Sequence, residues 1–326
     1  MTTTPLLEFR DTTITYRGAR GTVPAVRGVN LSIGTGETLG LAGESGSGKS
    51  TLAMSVLRLL PPTTTISGQI LLDGEDVTGM KWGRLRAVRW ADASVVFQGA
   101  MHGLNPVRRI SDQIAEPIVV HANATGAAVD KKVRDLLDQV GLPTRRAGAY
   151  PHELSGGQRQ RVMIAMALAC DPRLVIADEP TTALDVMIQA QVLDLLAALV
   201  ADRGVGLLMI SHDLSVLAGA CERLAVMYAG RIVEHGPAAQ VVRDGQHPYT
   251  HALSGAFPTI GDPASRLAPR GLPGDPPDPS DLPGGCPFHP RCASAIEECS
   301  TVDIGLRPVT PGHDAACVHI TQEAYS

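Results

Sequence analysis

Residues 37–60 read Glu37-Thr-Leu-Gly-Leu-Ala-Gly-Glu-Ser-Gly-Ser-Gly-Lys-Ser-Thr-Leu-Ala-Met-Ser-Val-Leu-Arg-Leu-Leu60. An apolar, strand-like run comes first, then eight residues that fit G-x-x-x-x-G-K-[ST], then a helical pattern. Glycines let backbone N–H groups turn inward on an anion, and the start of a helix adds the positive end of its dipole. Gly43, Ser45, Gly46, Ser47 and Gly48 are therefore expected to cradle phosphates. Lys49 is expected to reach the β/γ oxygens and Ser50 to offer a hydroxyl to Mg²⁺, with Thr51 beside it. The chain has only four lysines, which makes a chance lysine in this position and context improbable.

Outward from this loop, Ser94 to Phe97, Leu174 to Ala177, Gly206 to Ile210 and Arg223 to Met227 read as short buried strands separated by longer helical patterns. Such alternation predicts an α/β core with a largely parallel sheet. Strand signals vanish between Ile110 and Met166, where Asp130 to Val140 and Gln158 to Ala169 read as helices, so a helical insertion is expected there. In Leu174-Val-Ile-Ala-Asp-Glu179 an apolar strand ends in two carboxylates, at the sheet edge where a ligand should sit. Beside a phosphate loop, Asp178 is expected to hold Mg²⁺ through a water and Glu179 to polarise an attacking water. Leu154-Ser-Gly-Gly-Gln158 opens a helix; Ser155 suits an N-cap, and Gly156 and Gly157 permit close backbone approach to an anion.

Composition narrows the classes. The 326 residues allow about two domains and a sizeable core. Lys plus Arg is 28 and Asp plus Glu 33, a net charge of 28 − 33 = −5, which gives no basic excess for nucleic acid. The longest uncharged apolar run, Val162 to Cys170, falls short of the roughly 18–20 residues that cross a bilayer. Met1 to Thr4 is polar and the first charge is acidic, so no signal peptide is expected and the chain reads as cytosolic. Pro258 to Pro290 holds ten prolines in 33 residues and reads as a linker.

These motifs, in this order, resemble the nucleotide-binding subunit of an ABC transporter, in which LSGGQ is the signature sequence. The resemblance covers about residues 6 to 320. It implies a P-loop domain with a RecA-like core, an antiparallel β subdomain and a helical insertion over about 100–170, together filling residues 1–245. A proline-rich linker and a short Cys-rich extension would fill 246–326. By the same resemblance Tyr16 looks like the aromatic residue that stacks on adenine. Gln98 matches the glutamine that senses Mg²⁺ and links the insertion to the core. Asp185, in Ala183-Leu184-Asp185, matches the loop that crosses the dimer interface, and His212 matches the switch histidine at the γ-phosphate. ATP on one chain would be covered by Ser155, Gly156, Gly157 and Gln158 of another, so a second ATPase subunit is implied, as a distinct homologous chain or a second copy.

His247-Pro-Tyr-Thr250 and the cysteine tail resemble ATPase subunits of dipeptide and oligopeptide importers, a branch that includes nickel importers. Two transmembrane permease subunits, an external peptide-binding protein and a place at the cytoplasmic face of the membrane are implied. One departure is Gly99-Ala-Met-His-Gly-Leu-Asn-Pro106, where the branch has Asp-Pro directly after the glutamine; it bears on the membrane partner. A soluble ABC ATPase of DNA repair or the ribosome is disfavoured by the charge, the single cassette and the lack of a coiled-coil insertion. A degenerate ATPase with sensor cysteines is disfavoured by intact Glu179 and His212.

Cys286, Cys292, Cys299 and Cys317 are spaced C-x₅-C-x₆-C-x₁₇-C in a segment with little apolar content. Disulfides are disfavoured in a cytosolic chain. Structural zinc normally shows tight C-x₂₋₄-C pairs, while an iron–sulfur cluster tolerates looser spacing. Cys286-Pro-Phe-His-Pro-Arg-Cys292 resembles importer tails that hold a [4Fe–4S] cluster; zinc stays open as the alternative.

Overall fold

The computed structural model describes residues 4–18, 21–99, 103–122, 124–182, 184–256 and 271–320. Its strands in chain order are β1 Leu7–Gly18, β2 Gly21–Ile33, β3 Thr38–Ala42, β4 Thr65–Leu72, β5 Glu75–Asp76 and β6 Ala93–Val96. The later strands are β7 Leu174–Asp178, β8 Gly206–Ser211, β9 Arg223–Tyr228, β10 Arg231–Pro237, β11 Arg307–Thr310 and β12 His313–Ala315. Two compact units share them. The first comprises Met1–Leu7, Ile33–Glu37 and Leu72–Met209; the second comprises Glu8–Ser32, Thr38–Leu71 and Ile210–Ser326. None of the helices, among the described residues, is long and apolar enough to cross a membrane.

In the first unit β6 and β7 pair in parallel, with Ala93 opposite Leu174 and Val96 opposite Ala177. Every residue of both strands is buried, which is why they read as continuous apolar runs rather than alternating ones. Between them the chain forms the helices Ile110–His121, Ala127–Gln139 and Gly156–Ala167 and no strand among the described residues. Val129, Val133, Leu136 and Leu137 mark the buried stripe of the middle helix at the spacing an amphipathic helix requires.

In the second unit β2-β1-β4 lie side by side, in that order, as part of one sheet. Because only two residues separate β1 from β2, their pairing can only be antiparallel. The strands β11-β12-β10-β9-β3 lie side by side, in that order, as part of the other. There β3 runs parallel to β9, whereas β9, β10, β12 and β11 pair antiparallel in turn. The helix after the phosphate loop, expected to continue to Leu60, ends at Ser55. Arg58 adopts a left-handed φ of 49°, which no helix accommodates, and Pro61 and Pro62 follow.

The tail is organised by one buried carboxylate. Glu234 in β10 is fully buried and accepts hydrogen bonds from the backbone N–H of Gln246 (2.7 Å) and His247 (2.9 Å) and from His313 Nε2 (2.7 Å). A buried charge persists only when paired in this way, so Glu234 ties β10, the segment at His247 and β12 into one piece. Burial pushes His247 down to about 4, so its neutral ring accepts from the Tyr249 N–H at 3.1 Å. Part of the expected linker, residues 257–270, lies outside the described residues.

Candidate functional site

The phosphate loop lies between β3 and the helix Lys49–Ser55. Gly43 has φ 149°, and a Cβ there would stand 2.3 Å from the Met227 carbonyl oxygen. Gly48 has φ 103°, and its Cβ would stand 2.3 Å from the Ala25 carbonyl oxygen. Only glycine satisfies both demands, so the motif's end glycines are fixed by backbone crowding as well as by conformation. Lys49 is buried, and its Nζ donates to the carbonyls of Gly43 and Glu44, each at 2.7 Å, and reaches Ser47 Oγ at 3.4 Å. A fixed ammonium thus stands inside a loop of inward-turning backbone, a geometry that receives anions. Tyr16 Oη lies 3.0 Å from Thr51 Oγ1, which brings the expected adenine-stacking residue to the loop's helix. His212, just past β8, is exposed; Asp213 beside it caps the helix Leu214–Ala220 by accepting from the N–H groups of Ser215 and Val216. All of these residues belong to the second unit.

The first unit holds the others. Glu179 follows β7 in a left-handed conformation, φ 43°, which is strained for a residue with a Cβ and recurs at functional positions. Its Oε2 accepts from Gln98 Nε2 at 2.8 Å and from Thr182 Oγ1 at 2.9 Å. With the Gln98 amide N–H given to Glu179, its carbonyl oxygen is left as a hard donor of the kind Mg²⁺ prefers. Asp178, at the end of β7, is buried. Ser155 caps the helix Gly156–Ala167 in a reciprocal box: its Oγ accepts from the Gln158 N–H (3.3 Å), and the Gln158 side chain accepts from the Ser155 N–H (3.1 Å). Asp185 likewise caps the helix Val186–Arg203 through the Ile188 N–H at 3.0 Å. A Cβ on Gly157 would stand 2.4 Å from Ile188 Cγ2, so this glycine is required by the neighbouring helix, a reason the sequence did not disclose. Ala183, and residues 100–102 of the departure after Gln98, lie outside the described residues.

In the tail, Cys286, Cys292, Cys299 and Cys317 line a single solvent-open pocket. Burial raises the thiols of Cys286, Cys292 and Cys317, and the other cysteines nearby add to the effect. Against this, each of the three receives a backbone N–H from two residues further on: Phe288, Ser294 and His319. These donors oppose the effect of burial without overcoming it, so the three thiols stay raised. No group of three or more His, Cys, Asp or Glu among the described residues is arranged to hold a metal ion, so neither the expected cluster nor zinc finds a ready-made site there.

Four residues that sequence reasoning left out surround the loop. Arg291 donates to both carboxylate oxygens of Glu44, the second residue of the phosphate motif, at 2.7 and 3.0 Å. Tyr249 Oη accepts the Glu44 N–H at 2.8 Å, and Tyr228 Oη is 3.3 Å from Arg291 Nη1. The rings of Tyr228, Tyr249 and Phe288 pack together with centroids 4.5–5.3 Å apart. The Arg291 position was visible between two cysteines, but nothing local pointed to a partner 247 residues away.

Comparison with known proteins places the chain in a family. Residues 26–182 match the family described as ABC transporter, and residues 233–299 match that described as oligopeptide/dipeptide transporter, C-terminal region. The oligopeptide transport ATP-binding protein OppD of Escherichia coli is 43% identical over 321 residues, 98% of this chain and 94% of that protein. OppD of Mycobacterium tuberculosis is 46% identical over 319 residues, 96% of this chain but 52% of that longer protein. Among solved structures, the dimeric post-hydrolysis state of the ATP-binding cassette MJ0796 bound to ADP and Pi is similar over 71% of this chain and 98% of its own, with a TM-score of 0.64 and 29% identity. On these matches the chain belongs to the ATP-hydrolysing subunits of the ABC transporter family.

Proposed function

We propose that this chain hydrolyses ATP to power the import of dipeptides or oligopeptides through a membrane transporter. The observation that carries this reading is the tail: the same chain that holds the phosphate loop carries the oligopeptide/dipeptide C-terminal region, tied to that loop through Glu44. Lys49 would face the β/γ-phosphates; Ser50 and Gln98 would be the residues that hold Mg²⁺, with Asp178 in support. Mg²⁺ supplies neutralisation of the phosphate charge. Glu179, fixed by Gln98 and Thr182, takes the proton of the attacking water. Tyr16 stacks on the adenine, and His212 contacts the γ-phosphate. Ser155, Gly156, Gly157, Gln158 and Asp185 serve the site whose loop belongs to a second, homologous ATPase chain. Two permease subunits and an external peptide-binding protein complete the assembly at the cytoplasmic face.

The four tail cysteines hold a [4Fe–4S] cluster with a structural role. The observation behind this reading is that the four thiols line one pocket, which brings residues spread over 32 positions together. Anaerobically purified protein is expected to be brown, with broad absorbance near roughly 400 nm that Cys292→Ser removes. Colourless protein with stoichiometric zinc and no iron or sulfide refutes the cluster.

For the transport reading, the test is ATP turnover by the chain reconstituted with its permease partners in vesicles. A peptide-loaded external binding protein should stimulate turnover. Stimulation by nickel or another solute, and none by peptide, assigns the chain to a different importer; no response to any binding protein refutes a role in import.

A further inference from the structure

Arg291 stands between Cys286 and Cys292, and its side chain is 6% exposed. Beyond its two bonds to Glu44, its Nε donates to the Pro273 carbonyl at 2.7 Å. Hydrogen bonding to Glu44 holds the guanidinium firmly charged against the opposing effect of burial. The fork-on-fork geometry fixes direction as well as charge, which a lysine could not do. Glu44 is held at three points: its N–H by Tyr249, its carbonyl by Lys49 and its carboxylate by Arg291. A second observation joins tail and loop. Glu44 to Ser47 line a pocket that Pro276, Pro277 and Pro279 of the tail also line.

A carboxylate in a loop that receives a polyanion is a liability, because like charges repel strongly where little water screens them. Arg291 cancels that charge and fixes it against the tail.

We propose that Arg291 is a positioning residue for ATP binding, making the cysteine-bearing tail part of the nucleotide site by neutralising and anchoring Glu44. The inference rests on the reading of Gly43–Thr51 as the phosphate site. Removing Arg291 leaves an unpaired carboxylate beside the phosphates and weakens binding; removing that carboxylate as well restores it.

The experiment titrates the full-length chain with Mg²⁺ and an unhydrolysable ATP analogue, and separately with ADP. The variants are Lys49→Ala, Arg291→Ala, Arg291→Lys and the double variant Arg291→Ala with Glu44→Gln. Arg291→Ala should weaken the analogue's Kd on the order of tenfold. Arg291→Lys, which keeps the charge and loses the fork, should fall between. The double variant should return to within about threefold of the parent, a coupling that a purely structural loss does not produce. ADP, carrying less charge, should lose less affinity than the ATP analogue. Arg291→Ala binding within about twofold of the parent, while Lys49→Ala binds weakly, overturns the proposal. A double variant as weak as Arg291→Ala overturns it too, by reducing Arg291 to a folding role. Unchanged binding by Lys49→Ala overturns the phosphate-loop reading, and the proposal with it.

Discussion

Gly157→Ala separates two explanations of the signature sequence. The first is close approach of backbone to an anion; the second is close approach of Ile188. The added Cβ would stand 2.4 Å from Ile188 Cγ2, about 1 Å inside ordinary van der Waals contact, and Ile188 is half-buried with limited room to move. Inserting one methyl into such a contact costs about 1–3 kcal/mol. Replacing glycine by alanine inside a helix returns roughly 0.5–1 kcal/mol, and less at the second helical position, so destabilisation by about 1–2 kcal/mol is expected. Gly156→Ala provides the contrast, because its Cβ would meet Leu184 Cδ2, a mobile methyl, at 3.1 Å and should cost under about 1 kcal/mol. Denaturant midpoints of the full chain measure both. Ile188→Leu moves the offending methyl off Cβ at constant volume, so adding it to Gly157→Ala should recover most of the loss. A Gly157→Ala midpoint equal to or above the parent's, or no recovery with Ile188→Leu, refutes the steric account.

Glu179→Gln should keep nucleotide affinity and lower steady-state hydrolysis by on the order of 100-fold or more, measured by phosphate release, since an amide cannot take the water's proton; parent-level turnover would remove Glu179 from its role. Asp185→Ala, which deletes the cap on the Ile188 N–H, should lower stability by about 1 kcal/mol in the same denaturant series, whereas Asp185→Asn should cost much less. Burial pushes the Cys221 thiol up to about 12, so at pH 8 it stays protonated and buried and should resist maleimide until the chain is denatured; rapid labelling of the native protein contradicts this placement.

The features legible in the sequence are those whose physics acts over a few neighbouring residues. A phosphate loop needs glycines at positive φ, a cap needs an oxygen three residues ahead of an N–H, and a buried parallel strand needs an unbroken apolar run. Gly43 to Thr51, Ser155 with Gln158, and Leu174 to Glu179 meet those needs locally, so the α/β core and the chemistry of the site could be read residue by residue. Gln98 entered the site only through resemblance, and its bond to Glu179 was not foreseen, because 81 residues separate them. Tertiary structure alone decided that Gly157 answers to Ile188, that four widely spaced cysteines share one pocket, and that Glu44 is paired with Arg291. Each depends on segments distant in sequence being held at a fixed separation. For the tail part of that separation is set by a carboxylate invisible as such in the sequence: Glu234, buried in β10, binds the segment at His247 and the ring of His313, and so holds the segment whose Tyr249 meets the phosphate loop.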